Sequence, residues 1–132
     1  MSDQPDNRDL TSDERQLVLW MLEHGNHQAR AFLPQVDQVR ISPWRCECGC
    51  ASVDFIQEKQ AEPTAGMRIL GDYVFGGGDH ESGMFIFERG GILSGIEVYG
   101  LGGDAARSLP HPVECRPFGA ESECFFTLGW KQ

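Results

Sequence analysis

The feature that most limits how this chain can fold is a β-hairpin pattern at residues 84–101. Residues 84–88 (MFIFE) and 92–101 (ILSGIEVYGL) have the composition of β-strands, and RGG at 89–91 supplies the turn between them. Both faces of the first strand are apolar, which indicates a central position in a sheet. We therefore expect this hairpin to lie inside a mostly antiparallel sheet.

Two helices are predicted before the sheet. Thr11 and Glu14 form a Thr-x-x-Glu capping box, and apolar residues then recur at helical spacing as far as Gly25, a C-terminal stop. Asn26 can cap a second, shorter helix, which Pro34 is expected to end. Helices followed by strands predict an α+β fold, with two N-terminal helices packed on a mostly antiparallel β-sheet.

The remaining strands are predicted from shorter signals. Residues 52–55 alternate between polar and apolar side chains, and residues 67–75 form a strand pattern in which Gly71 marks a bulge. A last strand is predicted at 123–130. The core is expected to contain Leu17, Met21, Phe32, Val53, Phe85, Phe87, Ile96 and Phe126, with Trp20, Trp44 and Trp130 in the core or at its edge.

The length of 132 residues matches the commonest size of one domain. Residues 1–10 are polar, and we expect a disordered tail there and a single α+β domain over 11–132. The start of the sequence lacks the pattern of a signal peptide, and no apolar run approaches the ~20 residues of a membrane helix. These features predict a cytoplasmic protein whose thiols stay reduced.

The charge balance limits the partners. The net charge is −9, from 20 acidic and 11 basic side chains. Such a surface repels nucleic-acid phosphate and anionic membranes, so neither is expected as a partner. It is compatible with docking on a basic protein.

The cysteines at 46–50 form the candidate metal site. Cys46, Cys48 and Cys50 offer three soft ligands that zinc accepts, and no other cofactor is predicted. On a flat strand, residues two apart lie about 6.7 Å apart, whereas two sulfurs on one zinc lie about 3.8 Å apart. The three thiolates could therefore meet one ion only if Gly49 bends the chain. A fourth ligand could come from His80, His111, Cys115 or Cys124.

The cysteine spacing favours another interpretation, in which these are small buried side chains on the inner face of a strand. The usual zinc motif separates its cysteines by two or more intervening residues, whereas Cys46, Cys48 and Cys50 are separated by one each. No Cys-x-x-Cys pair occurs in the sequence. A redox dithiol is favoured less, because Arg45 is the one nearby basic residue and Glu47 would raise a thiol pKa.

The loop at 76–83 is a weaker candidate site. It contains Asp79, His80 and Glu81, but consecutive residues of an extended chain point to opposite faces, so a solvated polar loop is expected. Neither a Gly-x-Ser-x-Gly nucleophile elbow nor a phosphate-binding loop occurs. No catalytic residue is predicted.

Four segments together resemble a group of small bacterial proteins that have a helical start, a Cys-x-Cys-Gly-Cys-x-Ser segment and a Gly-rich hairpin. The segments are LTSDERQLVLWMLEHG, ARAFLPQV, CECGCASVDF and GILSGIEVY. The resemblance runs from about residue 11 to residue 100. The group has no established activity, so the resemblance implies no functional residues.

The leading functional hypothesis is a protein-interaction module without catalysis, of the immunity or antitoxin kind, that neutralises a basic enzyme. The alternative is a zinc-binding or thiol-dependent protein centred on Cys46, Cys48 and Cys50. A small hydrolase that uses His80 with Asp79 or Glu81 is the third hypothesis.

Overall fold

In a computed structural model, which describes residues 7–62, 64–77 and 81–118, most of the strands follow the helices. The helical elements are α1 (Ser12–Glu23), a long 3₁₀ helix (Ala29–Gln38) and a 3₁₀ turn (Pro112–Glu114). The strands are β1 (Arg8–Asp9), β2 (Arg40–Ile41), β3 (Val53–Ile56), β4 (Met67–Phe75), β5 (Ser82–Arg89), β6 (Ile92–Gly100) and β7 (Arg116–Pro117).

The strands of the described residues form one sheet in the order β1-β2-β3-β6-β5-β4-β7. Every neighbouring pair is antiparallel. The α+β class and the antiparallel sheet are therefore confirmed. The predicted hairpin is also confirmed, since β5 pairs with β6 on one side and with β4 on the other.

The capping box of α1 is confirmed in detail. The Thr11 hydroxyl accepts the Glu14 N–H at 3.1 Å, and the Glu14 carboxylate accepts the Thr11 N–H at 2.9 Å. The Arg8 guanidinium donates two further hydrogen bonds to the same carboxylate. The helix then buries one apolar stripe, formed by Leu17, Val18, Met21 and Leu22.

The bulge predicted in β4 lies where the sequence places it. Ile69 pairs with Phe87, but Gly71 pairs with the adjacent Ile86, so one residue of β4 is unmatched. A Cβ at Gly71 would lie only 2.6 Å from the Tyr73 hydroxyl, so glycine leaves room for that ring. The Tyr73 hydroxyl donates to the backbone carbonyl of Met21 in α1.

The predicted end of the second helix at Pro34 is wrong. Pro34 lies inside the 3₁₀ helix, which continues to Gln38. Proline fixes φ near −65°, a value within the 3₁₀ range, and it removes only one donor from a segment whose bonds are already short-range. The proline is exposed there.

Two residues of the tail predicted over 1–10 lie in a strand. Arg8 and Asp9 form β1 and pair with Ile41 and Arg40. The Arg40 side chain also donates to the Asn7 carbonyl at 2.8 Å. Pairing with an edge strand orders polar residues that have no apolar periodicity, and a sequence pattern does not show this.

The core predictions have a mixed outcome. Leu17, Met21, Phe87 and Ile96 are buried as predicted. Phe32, Val53 and Phe85 are only partly buried, and Phe126, Trp130 and the strand at 123–130 lie outside the described residues. Phe85 is on the face of β5 opposite to Met84 and Ile86, which are the fully buried pair. Trp44 is 48% exposed, so its predicted core position is wrong.

Candidate metal centre

The cysteine segment between β2 and β3 is a turn. The Gly49 N–H donates to the Cys46 carbonyl at 3.0 Å, and Gly49 has a φ of +84°, in the left-handed region that favours glycine. Cys48 is exposed, and Cys46 and Cys50 are half-buried. The interpretation of these cysteines as buried residues on the inner face of a strand is therefore wrong, because Gly49 bends the chain.

The bend brings the three sulfurs together. All three Sγ atoms lie within 4.8 Å of one another. The Cys46 and Cys48 sulfurs are 3.0 Å apart, and the Cys50 N–H points to the Cys48 sulfur at 3.4 Å. Sulfurs bound to one zinc are separated by about 3.8 Å, so the cluster is compatible with a three-thiolate metal site once the Cys46 and Cys48 sulfurs move apart.

The thiols of Cys46 and Cys50 differ in how readily they ionise. Burial opposes ionisation of Cys50, but hydrogen bonds from Ser52 and from the neighbouring thiols outweigh it and lower the pKa of the Cys50 thiol. The hydrogen bond with Cys48 is the main cause that raises the pKa of Cys46, to about 11. Cys50 is therefore the first of this pair to become a thiolate, the form that binds metal.

Hydrogen bonds to β6 and to the segment that follows it anchor this turn. The buried Ser52 hydroxyl accepts the Val98 N–H of β6 at 2.8 Å and contacts the Cys50 sulfur at 3.2 Å. The Ala51 N–H donates to the Ala106 carbonyl at 2.9 Å. These bonds fix the end of the cysteine segment relative to the sheet.

Two of the residues considered from the sequence as a fourth ligand, His111 and Cys115, are among the described residues, and neither joins the cluster. The Cys115 thiol donates to the His111 carbonyl at 3.5 Å, and burial is the main cause that raises the pKa of Cys115 to about 11. His80, Asp79 and Cys124 lie outside the described residues, and Glu81 forms an ion pair with Arg116. Within residues 7–62, 64–77 and 81–118, the cluster therefore consists of three residues that could bind a metal ion.

A cavity of about 570 Å³ opens beside the cluster. Cys46, Gly49 and Cys50 form part of its wall. Residues that are distant in sequence complete it, including Arg8, Glu14, Arg107 and Leu109. Sequence reasoning missed Arg107, because no local pattern links residue 107 to a turn at 46–50.

Comparisons with protein-family models, with curated proteins and with solved structures find no match to this chain. The resemblance to the bacterial group therefore stays a prediction. The helices of the described residues include none with the length and apolar character required to span a bilayer.

Proposed function

We propose that this chain binds a thiophilic metal ion, Zn²⁺ in the first instance, through Cys46, Cys48 and Cys50. The observation that supports the proposal is the convergence of the three sulfurs to within 4.8 Å. The sequence argument against a metal assumed a flat strand, and the bend at Gly49 removes that assumption. The proposal concerns binding, and it assigns no catalytic step.

The donor set favours soft or borderline ions. Thiolates select Zn²⁺, Cu(I) and iron–sulfur clusters over Mg²⁺ and Ca²⁺, which prefer oxygen ligands. The three thiolates would fill three positions of a tetrahedral ion, and no other described residue fills the fourth. Zinc sites that exchange a ligand have such an open position. A cytoplasmic location, which we also propose, would keep the thiols reduced.

The structural support for the site extends beyond the turn. We propose that α1 and the long 3₁₀ helix form a layer on one face of the sheet. The bond from Tyr73 to the Met21 carbonyl and the shared core of helix and strand side chains support this arrangement. In it, α1 contributes Asp13, Glu14 and Leu17 to the cavity wall beside the cysteines.

Metal analysis of the purified chain tests the proposal. We expect one zinc per chain after loading and removal of excess ion, and loss of that zinc in Cys48→Ser. Cys115→Ser is the matched control, because Cys115 bonds to the His111 carbonyl and lies outside the cluster. A chain that retains no zinc, or a Cys48→Ser variant that retains it fully, would contradict the proposal.

The protein-interaction role stays a second proposal. The net charge of −9 supports it, because acidic inhibitors associate faster with basic targets. Its test is genomic. A gene placed directly after a large secreted toxin would support an immunity role, and a solitary housekeeping context would count against it.

A further inference from the structure

Arg107 lies directly over the turn that carries the cysteines. A Cβ at Gly49 would overlap Nη1 of Arg107, so the absence of a side chain at Gly49 lets the guanidinium approach the turn. Both residues line the cavity, together with Cys46 and Cys50. A cationic group and the soft ligands thus share one wall.

The charges around the cavity are unevenly paired. The Arg8 guanidinium is engaged by the Glu14 carboxylate through two hydrogen bonds. Arg45 and Arg107 form no hydrogen bond or ion pair with the described residues, and Asp13 is the remaining carboxylate of the wall. Two guanidinium groups that lack a partner among the described residues line this cavity in a chain of net charge −9, and they favour an anion there.

The cavity also has room and apolar surface for more than an inorganic ion. Its volume of about 570 Å³ is within the range of small-molecule sites. Leu17, Ile41, Trp44 and Leu109 add apolar contacts to the wall. A short organic chain that carries an anionic group fits this mixture of surfaces.

We propose, on the basis of the metal site proposed above, that the cavity binds a low-molecular-weight thiol that carries a carboxylate. Its sulfur takes the open position on the metal, and its carboxylate pairs with the guanidinium groups of Arg107 and Arg45. The thiol proton passes to solvent as the sulfur–metal bond forms, and no electron is transferred. A soft site selects sulfur over oxygen for that position, which favours a thiol over a simple carboxylate.

Cobalt-loaded protein gives a direct assay, since the intensity of the sulfur-to-cobalt charge-transfer band reports the number of bound thiolates. The probes are 3-mercaptopropionate, the neutral 2-mercaptoethanol, and propionate, which lacks sulfur. We expect 3-mercaptopropionate to increase the band and propionate to leave it unchanged. Arg107→Gln should weaken 3-mercaptopropionate binding about fivefold, the upper range for an exposed ion pair, and leave 2-mercaptoethanol binding unchanged.

Two further variants keep the result interpretable. Arg30→Gln removes the same charge from an exposed residue outside the cavity and should not alter binding of either thiol. Arg45→Gln should also weaken 3-mercaptopropionate binding selectively, and it replaces Arg107→Gln if the latter fails to hold cobalt.

The outcomes separate the two proposals. A wild-type chain that binds no cobalt would overturn the metal proposal and this inference with it. Cobalt bound by three thiolates, with thiol binding that is insensitive to Arg107 and Arg45, would overturn the inference alone. A four-thiolate spectrum before any thiol is added would also overturn the inference, because the chain itself would then fill the open position.

Discussion

Zinc should stabilise the fold, because the three sulfurs that would hold it already lie together in the folded turn. A ligand that binds only the folded state stabilises it by about 2.7 kcal/mol at a free concentration 100 times its Kd. The sulfurs of Cys46, Cys48 and Cys50 already lie within 4.8 Å in the folded chain, so we expect little rearrangement to weaken the Kd itself. The Cys46 and Cys48 sulfurs need to separate only from 3.0 Å to about 3.8 Å.

The assay is thermal unfolding of the reduced chain, with and without zinc at that concentration. For a domain of this size, about 2.7 kcal/mol corresponds to a rise in Tm of roughly 10 °C. A chelator should reverse the rise. Cys48→Ser should abolish it, and Cys115→Ser should retain it, since Cys115 lies outside the cluster.

Two results would refute this reasoning. The first is a wild-type Tm that zinc does not change, which is the outcome expected if the cysteines are merely structural. The second is an equal rise in wild type and Cys48→Ser, which would place the zinc elsewhere. The rise should also shrink at lower pH, because zinc must displace protons from thiols and the pKa of Cys46 is raised to about 11.

Three further predictions concern the turn, its pH dependence and the core. Gly49→Ala should weaken zinc binding at least about fivefold in a chelator competition, because alanine at a φ of +84° costs about 1 kcal/mol and its Cβ would also displace the Arg107 guanidinium. Gly77→Ala, in open space, should not weaken it, and equal affinities of the two variants would contradict this prediction. Without metal, the free energy of unfolding from denaturant titrations should fall as the pH rises from 9 to 11. The thiols of Cys46 and Cys115 have a pKa of about 11 in the folded chain, above their ordinary value of 9.0, so the unfolded chain loses these protons first. A flat profile would contradict the raised pKa values. Phe87→Ala should lower the free energy of unfolding by about 3–5 kcal/mol, and a loss below about 1 kcal/mol would mean that Phe87 does not belong to the core.

The elements that the sequence predicts correctly are those whose signals are local. The capping box of α1 needs only Thr11 and Glu14, and the β5–β6 hairpin needs two apolar runs and a turn between them. The bulge at Gly71 is likewise marked by one glycine within a strand pattern. In each case the physical cause lies within a few residues.

The errors have causes that lie far away in the sequence. β1 exists because Arg8 and Asp9 pair with β2, more than thirty residues later, and neither carries an apolar pattern. The long 3₁₀ helix passes through Pro34 because its geometry tolerates proline, although a stop signal for an α-helix is present. Local rules describe α-helices well, and this segment is not one.

The candidate site depends partly on local sequence signals and partly on contacts between residues that are far apart in the sequence. The sequence identifies the three cysteines and the condition that Gly49 must bend, but it does not show that the bend occurs. The bend is held by bonds from Ala51 to Ala106 and from Ser52 to Val98, which join residues 55 and 46 positions apart. Arg107 reaches the turn by the same route, since the segment after β6 carries it there.

Ser52 links the sheet to the chemistry of the cluster. Its hydroxyl oxygen accepts the Val98 N–H at 2.8 Å, so its own proton is free to point to the Val98 carbonyl at 3.4 Å or to the Cys50 sulfur at 3.2 Å. A thiolate at Cys50 attracts that proton more strongly than a neutral carbonyl does, because hydrogen bonds to ionised groups are the stronger ones. The pairing of β3 with β6 therefore places the donor that favours ionisation of Cys50. The sheet thus supplies a hydrogen-bond donor to one of the three clustered thiols, and that thiol ionises more readily than Cys46.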